Sequence, residues 1–134
     1  MKKYHQMRSK SSVEKIDILK RRASRIKKIR KYFEKQNVLE VDTPILSEKA
    51  VSDIHIESIG ATVNNKQNFL HTSPEFCMKR ILAMCSADIY QICKVFRDHE
   101  KGSLHSPEFT MVEWYRMNFT LQDIINDTCQ LISL

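Results

Sequence analysis

The chain has 134 residues, 42% hydrophobic and 28% charged, with a formal net charge of +6, a composition that suits one soluble globular domain around a single core. No apolar run is long enough to span a bilayer, and no apolar stretch follows the basic start MKKYHQMRSK; no membrane segment or secretory leader is expected, and a cytoplasmic location is the default. Residues 1–35 hold 14 of the 22 Lys and Arg against Glu14, Asp17 and Glu34, so a basic arm precedes an acidic body. Such an arm attracts nucleic acid or an acidic protein, or is a solvated helix face.

Ser11-x-x-Glu14 forms a capping box ahead of a helix expected over residues 12–36, with residues 1–11 as a flexible basic tail. Leu19, Ala23, Ile26, Ile29 and Phe33 recur at three- and four-residue steps and make one apolar stripe. "VLEVDTP" then reads as a short strand stopped by Pro44. "DIHIESI" (53–59) alternates like a half-buried strand, "NNKQN" reads as its turn, and "FLHT" as another short strand. In Ser73-Pro74-Glu75 a serine cap and a proline at the first helical position open a helix that carries Phe76, Ile81, Leu82 and Met84 and fades near Cys85. Residues 88–97 and 108–116 are rich in β-branched and aromatic side chains and predict an antiparallel hairpin with a long polar connection. Thr120-x-x-Asp123 opens a last helix with Leu121, Ile124, Ile125 and Leu131 on or near one face. No internal repeat is visible.

Glycine is confined to Gly60 and Gly102, so no glycine-rich phosphate loop is possible and any nucleotide must be held by side chains, chiefly arginine. Cys77, Cys85, Cys93 and Cys129 form no C-x-x-C pair and have no histidine at zinc-ligand spacing. They are expected to be reduced, mostly buried thiols, with no metal site.

The densest chemistry lies in the hairpin. Strand alternation puts Phe109, Met111, Glu113 and Tyr115 on one face of its second strand, and Arg97 with Gln91, Cys93 and Val95 on one face of its first. An arginine fork suits a phosphate or carboxylate, a phenylalanine can stack on a ring, and a glutamate with a tyrosine can receive an amine. Glu75 is a candidate for the same pocket. The plainer reading is a cross-strand Arg–Glu ion pair. His71, His99 and His105 read more readily as loop or edge histidines than as acid–base catalysts.

"FRDHEKGSLHSPEF" resembles motif 2 of the class II aminoacyl-tRNA synthetases, and "VLEVDTP" at the end of a basic helix resembles their motif 1. Within that family, "TSPEFCMKR", "VSDIH" and "HSPEFTMVEWYR" are similar to the lysyl-tRNA synthetases and, nearer still, to bacterial ligases that attach β-lysine to elongation factor P. The likeness runs from about Leu19 to Leu134, with motif 1 at about 19–46 and motif 2 at about 94–116. It implies an α+β fold, the N-terminal part of a class II catalytic domain, with an antiparallel sheet flanked by helices. It also implies ATP-dependent activation of lysine or β-lysine as an aminoacyl-adenylate, then transfer to a lysine of elongation factor P.

By this resemblance Arg97 contacts the α-phosphate and the substrate carboxylate and is the catalytic residue. Asp98, His99, Glu100, His105 and Ser106 join it around ATP, with His105 toward the phosphates and Phe109 stacked on adenine. Ser73, Pro74 and Glu75 hold the amino-acid end, while Glu113 and Tyr115 recognise the side-chain amine. ATP and Mg²⁺ are the implied cofactors, and a homodimer through motif 1 is implied. Positioning and charge neutralisation, rather than acid–base work, would carry the chemistry.

The sequence departs from the family in three places. His99 stands where lysyl-tRNA synthetases have an acid, with Glu100 next to it, and Ser106 stands where asparagine is usual. Motif 3, with its glycines, second ATP-binding arginine and metal-binding acids, has no counterpart in these 134 residues, so a partial catalytic domain is expected. Only residues 1–18 precede the motif 1-like stretch, where lysyl-tRNA synthetases carry an anticodon-binding barrel; tRNA is therefore the less expected partner. The alternatives are a truncated lysyl-tRNA synthetase domain, a non-catalytic dimerising module, and a nucleic-acid binder using the basic helix.

Overall fold

The computed structural model describes residues 12–100 and 102–134; the tail 1–11 and the capping box at Ser11 fall outside them. Helix α1 (Ser12–Lys35) is the expected first helix. It stops because Asn37 takes a left-handed conformation (φ 55°), which lets the Val38 N–H reach back to the Phe33 carbonyl at 3.0 Å. Its apolar stripe divides along its length. Phe33 is fully buried and Ile26 and Ile29 are half-buried, but Leu19 is 65% exposed and Ala23 is exposed.

The "VLEVDTP" strand is shorter than expected. Only β1 (Leu39–Glu40) forms, pairing parallel to β5 (Ile89–Phe96), and Val41 adds one more bond to the Tyr90 carbonyl. Strand β6 (Glu108–Tyr115) pairs antiparallel with β5 over all eight residues, from Ile89 opposite Tyr115 to Phe96 opposite Glu108. This gives one sheet in the order β1-β5-β6. A second sheet, in the order β2-β4-β3, contains β2 (Leu46–Ser47), β3 (Gly60–Val63) and β4 (Lys66–Leu70).

Residues 53–59 do not form the expected strand. The Asp53 carboxylate accepts the His55 N–H at 2.8 Å and turns the chain, Ile54 is 89% exposed, and only Glu57 makes a bridge, to Asp98. The hairpin turns instead on Asn64 and Asn65, both at positive φ (50° and 60°), the conformation a two-residue hairpin turn demands. Lys66–Asn68, expected in the turn, therefore belong to β4, which ends at Leu70 rather than Thr72.

Helix α2 (Glu75–Cys85) starts one residue later than expected, with Pro74 as its cap residue; the Ser73 hydroxyl still accepts the Glu75 N–H at 3.4 Å. Met78 is its fully buried side chain, whereas Phe76 and Met84 are exposed. Helix α3 (Leu121–Ile132) opens with the expected box, Thr120 and Asp123 exchanging hydrogen bonds. It presents Asp127 and Leu131 to the core, leaving Leu121 and Ile125 outside. The thiols are free, but Cys85 and Cys129 are exposed and Cys77 and Cys93 half-buried, so the expectation of mostly buried cysteines fails.

The β5–β6 hairpin separates two environments. On its back face Phe33 stacks on Tyr90 with centroids 4.2 Å apart, and Val38, Ile92, Val112, Trp114 and Leu131 close around them. A polar network seals this face. Buried Asp127 accepts from the Tyr32 hydroxyl and from Trp114 Nε1 (3.1 Å), and its carboxylate lies 3.5 Å from Arg116. Arg116 also donates to Gln36 and lies 3.4 Å from Asp88, tying α1, β5, β6 and α3 together. The front face holds the candidate site.

Candidate functional site

The β5–β6 register places Ile89, Gln91, Cys93 and Val95 opposite Tyr115, Glu113, Met111 and Phe109, so the alternation read from sequence is realised across both strands. Arg97, just beyond β5, continues this face. Its guanidinium carbon lies 5.2 Å from the centre of the Phe109 ring, and its Nε reaches the carbonyl of buried Thr72 at 3.4 Å. Arg97 has no ion-pair partner among the described residues, so the plain cross-strand Arg–Glu pair does not form. The cross-strand pair that forms is Lys94–Glu108 at 2.7 Å, on the opposite face. A half-buried guanidinium held by a carbonyl and a ring keeps most of its donors for an anion.

At the other end of this face, the Tyr115 hydroxyl donates to Glu113 Oε1 at 2.8 Å. Burial raises the Glu113 carboxyl above its ordinary value; the Tyr115 bond lowers it, and neighbouring Glu75 raises it further. Tyr115 is pushed well above the usual phenol value by burial and by its bond to Glu113. A carboxylate whose charge is disfavoured by burial and by a second carboxylate makes a good seat for an ammonium group, which relieves it. Lys79 Nζ lies 2.6 Å from Glu75 Oε1, one turn along α2.

Ser73, Glu75 and Arg97 line one cavity of about 400 Å³ between α2, the β2–β4 sheet and the 49–58 loop. Pro74, between Ser73 and Glu75, is buried as the α2 cap and does not line the cavity. The connection from 97 to 107 carries Asp98, His99, Glu100, His105 and Ser106. His99 sits at positive φ (56°), a strained position for a non-glycine residue, with Nδ1 2.7 Å from Glu57 Oε2. Glu57 also accepts the Asp98 N–H at 2.9 Å through its carbonyl. His105 is exposed and faces Glu100 at 4.0 Å. A Cβ on Gly102 would lie 2.9 Å from its Nδ1, so glycine is what lets the ring lie against the loop.

The structure therefore groups the expected residues into three sets. Arg97 lies with Phe109, Glu113 with Tyr115 and Glu75, and His99 with Asp98 in the connecting loop. Sequence reasoning gave no role to Gln91, Glu57 or His71. Gln91 is 1% exposed on the site face, opposite Glu113, with neither side-chain polar atom hydrogen-bonded. Its signal was a glutamine on a strand face otherwise made of Ile89, Cys93 and Val95. Glu57 gave none, because its partner lies 42 residues away.

The family profile of class II tRNA synthetases (D, K and N) matches residues 1–133. Among curated proteins, the elongation factor P–(R)-β-lysine ligase of Mannheimia succiniciproducens is 47% identical over 83% of this chain and 36% of its own length. The ligase of the same name from Avibacterium paragallinarum is 42% identical over 96% of this chain and 41% of its own. The chain thus spans little more than a third of these relatives. Among solved structures, asparaginyl-tRNA synthetase from Pyrococcus horikoshii, complexed with asparaginyl-adenylate, superposes with a TM-score of 0.78. It covers 87% of this chain and 26% of its own at 22% identity, a likeness of fold.

Proposed function

From the premise that the chain belongs to the class II tRNA synthetase family, we propose that it carries the motif 1 and motif 2 part of a ligase. That ligase activates lysine or β-lysine with ATP and transfers it to a lysine of elongation factor P. The names of its relatives supply the acceptor and the acyl group. The observation that carries the reading is the front face itself, where a guanidinium with unused donors lies over an aromatic ring, on the same face as a half-buried Glu–Tyr pair. These are the groups needed for an α-phosphate, a planar base and an aliphatic ammonium.

In the proposed reaction the amino-acid carboxylate attacks the α-phosphate, a P–O bond to pyrophosphate breaks, and an acyl-adenylate remains. Arg97 neutralises the charge that builds on the α-phosphate, in a position set by Thr72 and Phe109. Glu113, Tyr115 and Glu75 fix the ammonium end and so place the carboxylate for in-line attack. Gln91 supplies the unsatisfied amide beside them. His99 and Glu57 hold the strained start of the 97–107 connection, where His99 replaces the family's acid. Mg²⁺ would share the phosphates' charge; no cluster of three potential ligands occurs among the described residues. Exposed Val13, Ile16 and Leu19 on α1 support pairing of two chains through the motif 1 helix.

The test is ATP–pyrophosphate exchange with lysine and with (R)-β-lysine. Exchange that depends on either amino acid and disappears in Arg97→Ala supports the reading. A purified dimer with no exchange and no ATP binding favours the non-catalytic module.

A further inference from the structure

Gln91 lies within β5, 1% exposed, with neither its Oε1 nor its Nε2 hydrogen-bonded. A buried amide without partners destabilises the fold that holds it. Its neighbours on the same face, Ile89 and Val95, are fully buried apolar side chains, so packing alone would be met by another of that kind. Across the strands Gln91 stands directly opposite Glu113, a register that brings their Cβ atoms to about 5 Å on one face. We propose that Gln91 is a positioning residue for Glu113: when a substrate ammonium is seated, the amide Nε2 donates to the Glu113 carboxylate and holds it charged and aimed at the amine. The inference rests on the function proposed above and adds to it a determinant of selection for an amine over an apolar side chain.

A carboxylate accepts at two oxygens with about four lone pairs between them. Tyr115 occupies one of these sites, donating to Glu113 Oε1 at 2.8 Å, which leaves room for an amide and an ammonium together. The other groups that act on Glu113 are Glu75 and Lys79 on α2 and His71 beyond β4, with Cys93 next along the face of β5. Each of these is committed or unsuited. Lys79 is held by Glu75 at 2.6 Å, and His71 Nε2 by the Lys94 carbonyl at 2.7 Å. Burial and then Glu113 push the Cys93 thiol up to about 11, so it stays neutral. Gln91 therefore brings the uncommitted N–H donors that face Glu113. Burial disfavours the Glu113 charge, so the ionised carboxylate that an ammonium requires gains most from such a donor. The movement is small, because the last torsion of a glutamine is broad and the amide can turn about it at little cost. The arrangement also discriminates. Norleucine has the length of lysine without its amine, and it would leave Glu113 and Gln91 covered and unpaired.

The test titrates lysine and norleucine by NMR into this chain and into Gln91→Met, an apolar side chain of similar length, across the carboxylate pH range. Gln91→Met should bind lysine about tenfold or more weakly and norleucine within about twofold, so the preference for lysine falls about tenfold. Lysine affinity should rise with pH as Glu113 loses its proton. In Gln91→Met that rise should begin at a higher pH, because the charged carboxylate has lost a donor. The urea midpoint of the unliganded variant should hold or rise, since an unpartnered buried amide has been removed. Gln91→Leu serves if Gln91→Met does not fold. Equal weakening of both ligands, an unshifted pH profile or a lowered urea midpoint assigns Gln91 to packing and overturns the proposal. If Glu113→Gln abolishes the preference for lysine while Gln91→Met keeps it, the Gln91 inference alone falls. If the unaltered chain shows no preference for lysine over norleucine, the function proposed above falls with it.

Discussion

The two faces of the β5–β6 hairpin are built from the same two strands and treat charge in opposite ways. On the back, Asp127 takes two hydrogen bonds and an arginine, and Arg116 lies between two carboxylates and a glutamine, its Nε and Nη1 ion-paired though not hydrogen-bonded. On the front, Gln91 is buried without a hydrogen-bond partner and Arg97, with no carboxylate partner among the described residues, stops at a carbonyl and a ring. Paired charges on the back stabilise the fold. An unpaired arginine and amide on the front leave hydrogen-bonding capacity for a ligand, at a cost in stability. The difference predicts that back-face substitutions change stability, whereas front-face substitutions change binding.

The largest effect should come from breaking the back-face network. Asp127→Ala leaves the Arg116 charge, Trp114 Nε1 and the Tyr32 hydroxyl without their shared acceptor. It should cost about 3–5 kcal/mol in urea unfolding. A loss below about 1 kcal/mol would mean that the network is slack. Arg97→Ala sharpens the contrast. The stability cost should stay near or below about 1 kcal/mol, since a ring contact and one long hydrogen bond are lost. ATP affinity should fall by about tenfold or more, from the loss of charge-assisted bonds.

Glu113→Gln tests the sign of a strained front-face charge. Burial raises the folded Glu113 pKa above its unfolded value, so the folded state holds a proton that the unfolded state has released. Its contribution to stability is therefore greatest at low pH and declines as pH rises from the unfolded value, about 4.3, through the folded one. Removing the carboxyl should flatten that decline in pH-dependent unfolding while weakening lysine binding. The smallest effect belongs to an ordinary surface pair. Glu40 is held below the usual carboxylate range, first by its two-pronged bond with Arg30. Its contribution is present above the unfolded value and lost as pH falls through the folded one. Because both partners are largely exposed, Glu40→Gln should cost only a few tenths of a kcal/mol, about the value of an exposed pair.

The hairpin was legible because its alternation is strict and its register unbroken, so Arg97, Phe109, Glu113 and Tyr115 sort onto one face from sequence alone. The last helix was legible through Thr120 and Asp123, whose reciprocal bonds are local. Residues 53–59 misled because alternation was read without its terminator, the Asp53 turn. The α1 stripe was read correctly, but periodicity does not say how far the sheet beneath extends; burial begins only at Ile26. Glu57 with His99, and His71 with Lys94, were invisible because both contacts join residues far apart in sequence through the fold. The cavity was missed for the same reason, since its wall gathers residues from 44 to 97.

The central claim is that the front face binds an amino-acid adenylate. Its most direct test is calorimetric titration of this chain with a non-hydrolysable lysyl-adenylate analogue, alongside Arg97→Ala, Glu113→Gln and the stability variant Glu40→Gln. The account predicts saturable binding, weakened by about tenfold or more in the two front-face variants and unchanged in Glu40→Gln. No binding by the unaltered chain, or equal loss in all three variants, would contradict it.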